Sequence, residues 1–546
     1  MQPLEKPDEF FLGTTQAASP FGAVWSGEQL CVDIDRAHVV LAQIWPSLWP
    51  SLGPVLAQRN HRRRGGIVDV RGTTGVLRGL RRLAGGCLAG RWYRSPRDND
   101  GKGLCEKQKK LAGNACRRAE AWRKLFFDYL PPLLAHVHNV WMPCRIAASD
   151  VPSQRLPTAK SLPECLAWIA ADMQSLRAAG LQRPVRLRCG RQGRAVDLNG
   201  RTLLNFGAND YLGYAGDVRL SKAASRGACA EGFGAGASPL VSGHSQAHEA
   251  LEMAVAELLG VEAALLFTSG FAANTATIAA LVGPDDLIAS DARNHASIID
   301  GCRLSQATVG IYPHRDLAAL IAVLKAQPNA RRKLIVTDTL FSMDGTIAPL
   351  AALCEIAEAH GAMLLVDEAH ATGVFGKRGS GLVEATGCAD GVHLRLGTFS
   401  KALGAAGGFV AGRQALIDWL RHKARPWIFS TAQPPAIAAA ATEAIGLLTQ
   451  EPERRRLLQS NAAEFRDRLA QLGVDCGGAE AQIVPIVVGS AAAAVTLAER
   501  LACEGFFVPA IRPPSVPQGR SLVRASVSWH HTASDLEQLA QALGRA

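Results

Sequence analysis

Leu364-Leu365-Val366-Asp367-Glu368-Ala369-His370 and, further on, Leu394-Arg395-Leu396-Gly397-Thr398-Phe399-Ser400-Lys401 are the most informative stretches of this 546-residue chain. In each, an apolar run too short for a helix ends on polar side chains, as a buried strand does where it delivers a loop to a site. Outward from these, residues 334–336 lead into Thr337-Asp338-Thr339 and Phe341-Ser342-Met343-Asp344-Gly345. Residues 263–267 lead into Thr268-Ser269-Gly270, with helical spacing over 271–281. Free N–H groups at such a helix start make an anion site. Helical stretches separate the apolar runs, which predicts an α/β fold with a mostly parallel sheet covered by helices. Ligands are then expected at the carboxyl ends of the strands.

Nearer the amino terminus, Leu166, Ile169, Ala170, Met173, Leu176 and Leu181 predict an amphipathic opening helix broken at Gly180. The turn Asn199-Gly200 precedes a short strand at 203–206 and the loop Asn209-Asp210-Tyr211-Leu212-Gly213. Gly232, Gly234, Gly236 and Gly243 crowd the next loop, where positive φ, close ligand approach and plain flexibility all fit. A helix through Leu251, Val255, Leu258 and Leu259 is expected to end at Gly260.

Charge divides the chain. Lys+Arg total 59 against 48 Asp+Glu, a net +11, but residues 1–160 hold 24 basic and 13 acidic residues and the remainder 35 of each. Six of the ten Trp also lie before Lys160. A basic, Trp-bearing segment can bind phosphate backbones, yet it has no zinc spacing, aromatic RNA-binding signature or clean helix-turn-helix, so nucleic acid is not the expected partner. The 13 Cys include no C-x-x-C pair, and no metal centre or disulfide framework is expected. With no long uncharged apolar run and acidic residues throughout the first thirty, neither a membrane span nor a secretory leader is expected, and the cytoplasm is the natural location.

Asp367 to His370 spells the D-E-A-H of a helicase family, but such an enzyme needs G-x-x-x-x-G-K-[ST] upstream, which the chain lacks. Another chemistry uses the same parts: a lysine for a Schiff base, an aspartate for a pyridinium nitrogen and a helix start for a phosphate. That is a pyridoxal 5'-phosphate site.

The ordered segments now carry a resemblance. Asn209 to Gly213, Thr268-Ser269-Gly270-Phe271-Ala272-Ala273-Asn274, Asn294-His295-Ala296-Ser297, 341–345, 367–370, Thr398 to Lys401 and Ile511-Arg512-Pro513-Pro514-Ser515-Val516-Pro517 resemble the α-oxoamine synthase family of fold-type I pyridoxal-phosphate enzymes, over about residues 161–546. The resemblance implies an N-terminal helix and strand arm (161–205), a large cofactor-binding domain (206–440) and a smaller C-terminal α+β domain (441–546). By position, Lys401 would hold the cofactor and remove the substrate Cα proton, Asp367 would pair with the ring nitrogen, His295 would stack on the ring and His370 would meet the ring oxygen. Gly270, Phe271 and Thr398 would serve the phosphate, with Ser342 near the ring. Ser430 and Thr431 would reach the phosphate of a second subunit, implying a homodimer. Arg512 would clamp the substrate carboxylate. Asn209, Ser515 and Arg183, with Arg186 as competitor, would contact substrate or acyl group.

Within the family, residues 367–373 and 510–517 favour the biotin-pathway member, which condenses L-alanine with a pimeloyl thioester of acyl carrier protein or CoA. The alternatives are 2-amino-3-oxobutyrate CoA ligase, 5-aminolevulinate synthase, serine palmitoyltransferase, or a transcription regulator built on the same fold. The family pattern needs little before Ser161, and Met142 is the one Met between Met1 and Met173. Residues 1–160 are therefore expected to be an extension without defined fold or a misassigned start, with 1 to about 141 dispensable for activity.

Overall fold

In the computed structural model, residues 163–545 are described, together with the antiparallel pair Ala23–Ser26 and Gln29–Val32. The chain divides into units 1–155 and 156–546, and the second holds the large sheet and its helices. Apart from that strand pair, the expectations for residues 1–160 lie outside the described residues.

Three short strands come first: β1 (Arg188–Cys189), β2 (Ala195–Leu198) and β3 (Arg201–Asn205). The large sheet is built from β4 (Ala263–Phe267), β5 (Leu287–Asp291), β6 (Thr308–Tyr312), β7 (Lys333–Asp338), β8 (Ala362–Asp367), β9 (Leu394–Thr398) and β10 (Gly408–Gly412). Its order is β4-β10-β9-β8-β7-β5-β6. β10 runs antiparallel to both its neighbours and every other pairing is parallel.

The apolar runs are strands because they are buried on both faces. Alternate side chains enter two cores: Ala264, Leu266, Ile335, Leu364 and Val366 face one, while Leu265, Phe267, Leu334, Val336 and Leu365 face the other. α1 (Ala167–Ala178) is the opening helix, and later helices cover the sheet. They comprise α2 (Val218–Glu231), α3 (Gln246–Leu259), α4 (Gly270–Leu281), α5 (Ala296–Ser305), α6 (Leu317–Ala326), α7 (Leu350–Ala359) and α8 (Gln414–Lys423). α4 fills the second core with Ala273, Ala276, Ile278 and Leu281. It packs so closely on α5 that a Cβ at Gly301 would stand 3.0 Å from Ile278.

The later residues form α9 (Pro435–Gln450), α10 (Pro452–Gln471), β11 (Ile483–Gly489), α11 (Ala491–Cys503), β12 (Phe506–Phe507), β13 (Ala510–Ile511), β14 (Ser521–Ser526) and α12 (Ala533–Gly544). β11, β14 and β13 make an antiparallel sheet. β12 pairs with β3 in the order β12-β3-β2-β1, so the arm is hydrogen-bonded to the carboxyl-terminal part. α9 spans residue 440 without a break and packs on α2 and α3. Helix α1 and the break at Gly180, with φ +67°, match the sequence pattern, but no residue of α1 is buried. Its apolar stripe, with Trp168 at 60% exposure, has no cover among the described residues. In the glycine loop, Gly232 and Gly236 take positive φ and nothing lies near a Cβ at either position, so backbone conformation explains them; 239–243 coils into a π-helical turn.

Candidate active site

Parallel register brings the chemistry together. Asp338 and Asp367 end adjacent strands opposite one another, and Thr398 ends the next strand, three residues before Lys401. Lys401 Nζ lies 2.8 Å from His370 Nε2. Asp367 is 5% exposed: its Oδ2 accepts from Asn274 Nδ2 at 2.6 Å and its Oδ1 from the Ala369 N–H at 2.8 Å. Asn274 also donates to Ser297 Oγ at 2.9 Å, and that hydroxyl meets His295 Nδ1 at 2.7 Å. The same side chain of α4 thus holds both the carboxylate and the hydroxyl that orients His295. Asn274 Oδ1 is buried without a partner.

Electrostatics follows from burial. Desolvation brings the Lys401 amine down to about 8; Arg524 pushes the same way, while Asp367 and Asp338 oppose it. Burial also holds His370 well below its ordinary value, so the imidazole is neutral near pH 7. One ring nitrogen then donates and the other accepts. With Lys401 donating to Nε2, the Nδ1–H donates to Tyr211 Oη at 2.7 Å, and the Tyr211 hydroxyl donates to Asn209 Oδ1 at 3.2 Å; this tautomer is assigned from the network. His295 is lowered by burial, against the pull of Asp367. Asp338, fully buried, is raised by desolvation and then by Asp367; one of its oxygens accepts the His295 backbone N–H at 2.8 Å.

At the start of α4, Ser269 caps the helix by accepting from Ala272 N, leaving the Gly270 and Phe271 N–H groups at an open first turn. A Cβ on Gly408 would stand 2.5 Å from Gly270 N, and one on Gly270 would stand 3.3 Å from the Thr398 side chain, so small residues keep this cradle open. Thr398 Oγ1 donates to Gly407 O at 2.7 Å. Phe271 is half exposed, its ring edge-on to His295 at 6.4 Å.

Not all the sequence candidates converge. Ser342 is present through its carbonyl, which accepts from Arg524 at 2.9 Å, and Asn209 Oδ1 accepts from the same guanidinium at 2.9 Å. Arg512 instead donates to the carbonyls of Gly180 and Gln182. Arg183 donates to Pro513 O at 3.2 Å, Arg186 lies over the Phe507 ring, and Ser515 is exposed beside Arg512. Ser430, half-buried, and the exposed Thr431 line a small cavity beside Thr268 that does not include Lys401. The residues that sequence reasoning missed are Arg524, Tyr211, Asn274 and Asp338. Arg524 carried a readable signal, being a charge within the apolar run Leu522-Val523-Arg524-Ala525.

Together these groups fit pyridoxal phosphate: an amine of lowered basicity, a buried carboxylate for a ring nitrogen, an imidazole and an open helix turn for a phosphate. Comparison with known proteins agrees. Residues 201–543 match the family model for aminotransferase class I and II. The 8-amino-7-oxononanoate synthase of Anaeromyxobacter dehalogenans is 47% identical over 378 residues, covering 69% of this chain and 95% of that one. Among solved structures, a serine palmitoyltransferase carrying the pyridoxal-phosphate internal aldimine is 30% identical with TM-score 0.67, over 71% of this chain and 98% of the other. The 8-amino-7-oxononanoate synthase of Francisella tularensis gives 28% and 0.55, over 63% and 97%. The chain thus belongs to the class I and II aminotransferase family and, within it, to the pyridoxal-phosphate-dependent acyltransferases of the 8-amino-7-oxononanoate synthase type.

Proposed function

We propose that the chain condenses L-alanine with a pimeloyl thioester, of acyl carrier protein or CoA, releasing CO2 and the free thiol in the formation of biotin. The observation that carries the reading is the hydrogen-bonded chain from Lys401 through His370 and Tyr211 to Asn209 and Arg524, with the buried Asp367–Asn274 pair on the adjacent strand end, in a chain whose relatives bear this activity's name.

Pyridoxal phosphate, when bound, supplies a ring that accepts the electron pair left on the amino-acid Cα. Asp367 would keep the ring nitrogen protonated, and Asn274 fixes which way that carboxylate faces. Lys401, whose amine burial brings down to about 8, would hold the cofactor and accept the Cα proton. His370 stays neutral, so its Nε2 accepts a hydrogen bond from Lys401 while its Nδ1–H donates to Tyr211, which orients the amine without adding charge beside it. His295, held by Ser297, would lie on the ring face. Gly270, Phe271 and Thr398 would receive the phosphate, with Ser430 and Thr431 of a second copy completing it in a homodimer. The exposed Phe429 and Phe271 suit such a contact.

For the substrate carboxylate the geometry favours Arg524, a residue 6% exposed whose guanidinium donates to Asn209 Oδ1 and the Ser342 carbonyl. Arg512, Arg183, Arg186 and Ser515 are assigned to the acyl side. The eight free Cys among the described residues suit a reducing cytoplasm, and no helix among the described residues is long and apolar enough to cross a membrane.

The test is to add single amino acids to the cofactor-loaded chain, follow the cofactor absorbance, then supply pimeloyl, acetyl, succinyl or palmitoyl thioesters and measure CO2. L-alanine with the pimeloyl thioester is the expected pair. A response confined to glycine or serine overturns the choice, and a Lys401→Ala chain that keeps the yellow absorbance and turns over removes the whole assignment.

A further inference from the structure

Asp291, 4% exposed, ends β5, and His314 follows the end of β6; the parallel register of Asp291 with Tyr312 sets the two side by side. A carboxylate accepts, so His314 Nδ1 carries a hydrogen and donates to Asp291 Oδ1 at 3.0 Å. The other ring nitrogen, Nε2, lies 3.0 Å from Thr346 Oγ1, and the ring meets Phe341 edge-on with centroids 4.4 Å apart. The same carboxylate accepts the backbone N–H of Arg293 at 2.8 Å and that of Arg315 at 3.0 Å.

Phe341 and Thr346, both buried, are the two ends of one turn: the Phe341 N–H donates to Thr346 O at 3.0 Å and the Gly345 N–H to Phe341 O at 2.9 Å. Between them Ser342 offers its carbonyl to Arg524 at 2.9 Å, and Asp344 pairs with the Arg293 side chain at 3.0 Å. Asp291 therefore reaches this turn by two routes, through the His314 ring to its base and through the backbone of Arg293 to Asp344. Among the described residues the acceptors of the Arg524 guanidinium are the Ser342 carbonyl and Asn209 Oδ1, while Nε is buried without a partner. A planar guanidinium held by two acceptors keeps its direction only as well as those acceptors keep theirs.

We propose that His314, held between Asp291 and Thr346, is a positioning residue that fixes the Ser342 carbonyl and through it the aim of Arg524 at the carboxylate of the amino-acid substrate. Its two hydrogen bonds tie the turn to the end of the sheet, so the loss of either lets the Ser342 carbonyl move and loosens one of the two restraints on the guanidinium. The effect falls on ligands that carry a carboxylate; an amine without one does not use Arg524 and binds as before. His314 thus sets how strongly the site prefers an α-amino acid to a simple amine. The inference rests on the assignment of Arg524 to the substrate carboxylate.

The full-length, cofactor-loaded chain is titrated with L-alanine and with ethylamine, the same skeleton without its carboxylate, and each dissociation constant is read from the change in cofactor absorbance. Glycine against methylamine is run in parallel, so the choice of amino acid does not decide the outcome. His314→Leu and Thr346→Val should each weaken the amino acids about three- to tenfold, the contribution of about one hydrogen bond, with the amines unchanged. His314→Gln, which keeps a donor and an acceptor, should recover part of the loss. Circular dichroism and cofactor absorbance verify folding, and Thr346→Val, which exchanges one hydroxyl for a methyl, carries the test should His314→Leu not fold. Arg524→Met serves as the reference and should abolish the preference for amino acid over amine. If it does so while the folded His314 and Thr346 variants keep wild-type amino-acid affinity, or lose amines and amino acids equally, the positioning role is overturned and the Arg524 assignment stands. If Arg524→Met keeps the preference, both fall.

Discussion

Lys401 must be an uncharged amine to capture an aldehyde, so the pH at which the apoenzyme takes up pyridoxal phosphate reports the environment of this side chain. Burial lowers the amine from 10.5 to about 8. At pH 7 that leaves about one molecule in ten uncharged, against about one in three thousand for an ordinary lysine, a roughly 300-fold difference. A lowered amine is charged below its own value and free above it, so the capture rate should rise about tenfold per pH unit up to about pH 8 and then level. The surrounding charges supply perturbations of opposite sign. Arg524 depresses the lysine, and Arg524→Met should move the levelling point up; Asp367 raises it, and Asp367→Asn should move it down. Stopped-flow absorbance with apoenzyme, at several pH values, reads the levelling point separately from the absolute rate. A wild-type rate still climbing at about pH 10, or two variants shifting in the same direction, refutes the electrostatic account.

Three other outcomes are expected. Arg524→Met should raise the KM for L-alanine about 10- to 100-fold through loss of a charged hydrogen-bonding pair of roughly 1.5–3 kcal/mol, whereas Arg512→Met should act mainly on the thioester KM; steady-state kinetics with each substrate varied separates them. Glu368→Ala leaves Arg395, 4% exposed at its side chain, buried without its carboxylate at 2.6 Å, and denaturant unfolding should show a loss of about 3–5 kcal/mol. Gly408→Ala drives a Cβ against Gly270 N and should cost about 1–3 kcal/mol while weakening cofactor retention, measured by dialysis and absorbance.

Much of the fold could be read along the chain because strand burial writes itself as short apolar runs: 263–267, 334–336 and 364–366 all lie within strands of the large sheet. Candidate chemistry could be read at their ends for the same reason, since a buried strand places its next polar residue at the sheet edge. Arg524 was harder, because a charge within a strand signals only that a partner exists, and its partners Asn209 and Ser342 lie more than 180 residues away in sequence. Tyr211 and Asn274 lie within segments that carry the family resemblance, but their residue types gave no sign of a role of their own. Their importance comes from hydrogen bonds to His370 and Asp367, made only after the chain has crossed the sheet.

Local periodicity and short-range spacing were therefore enough for the strands, the helix starts, the order of Asp367, His370 and Lys401, and the family resemblance. Folding was needed to choose which arginine enters the network and to divide the two nitrogens of His370 between Lys401 and Tyr211. Those outcomes depend on sheet order and desolvation, which arise from contacts between residues far apart in the chain and have no period to display.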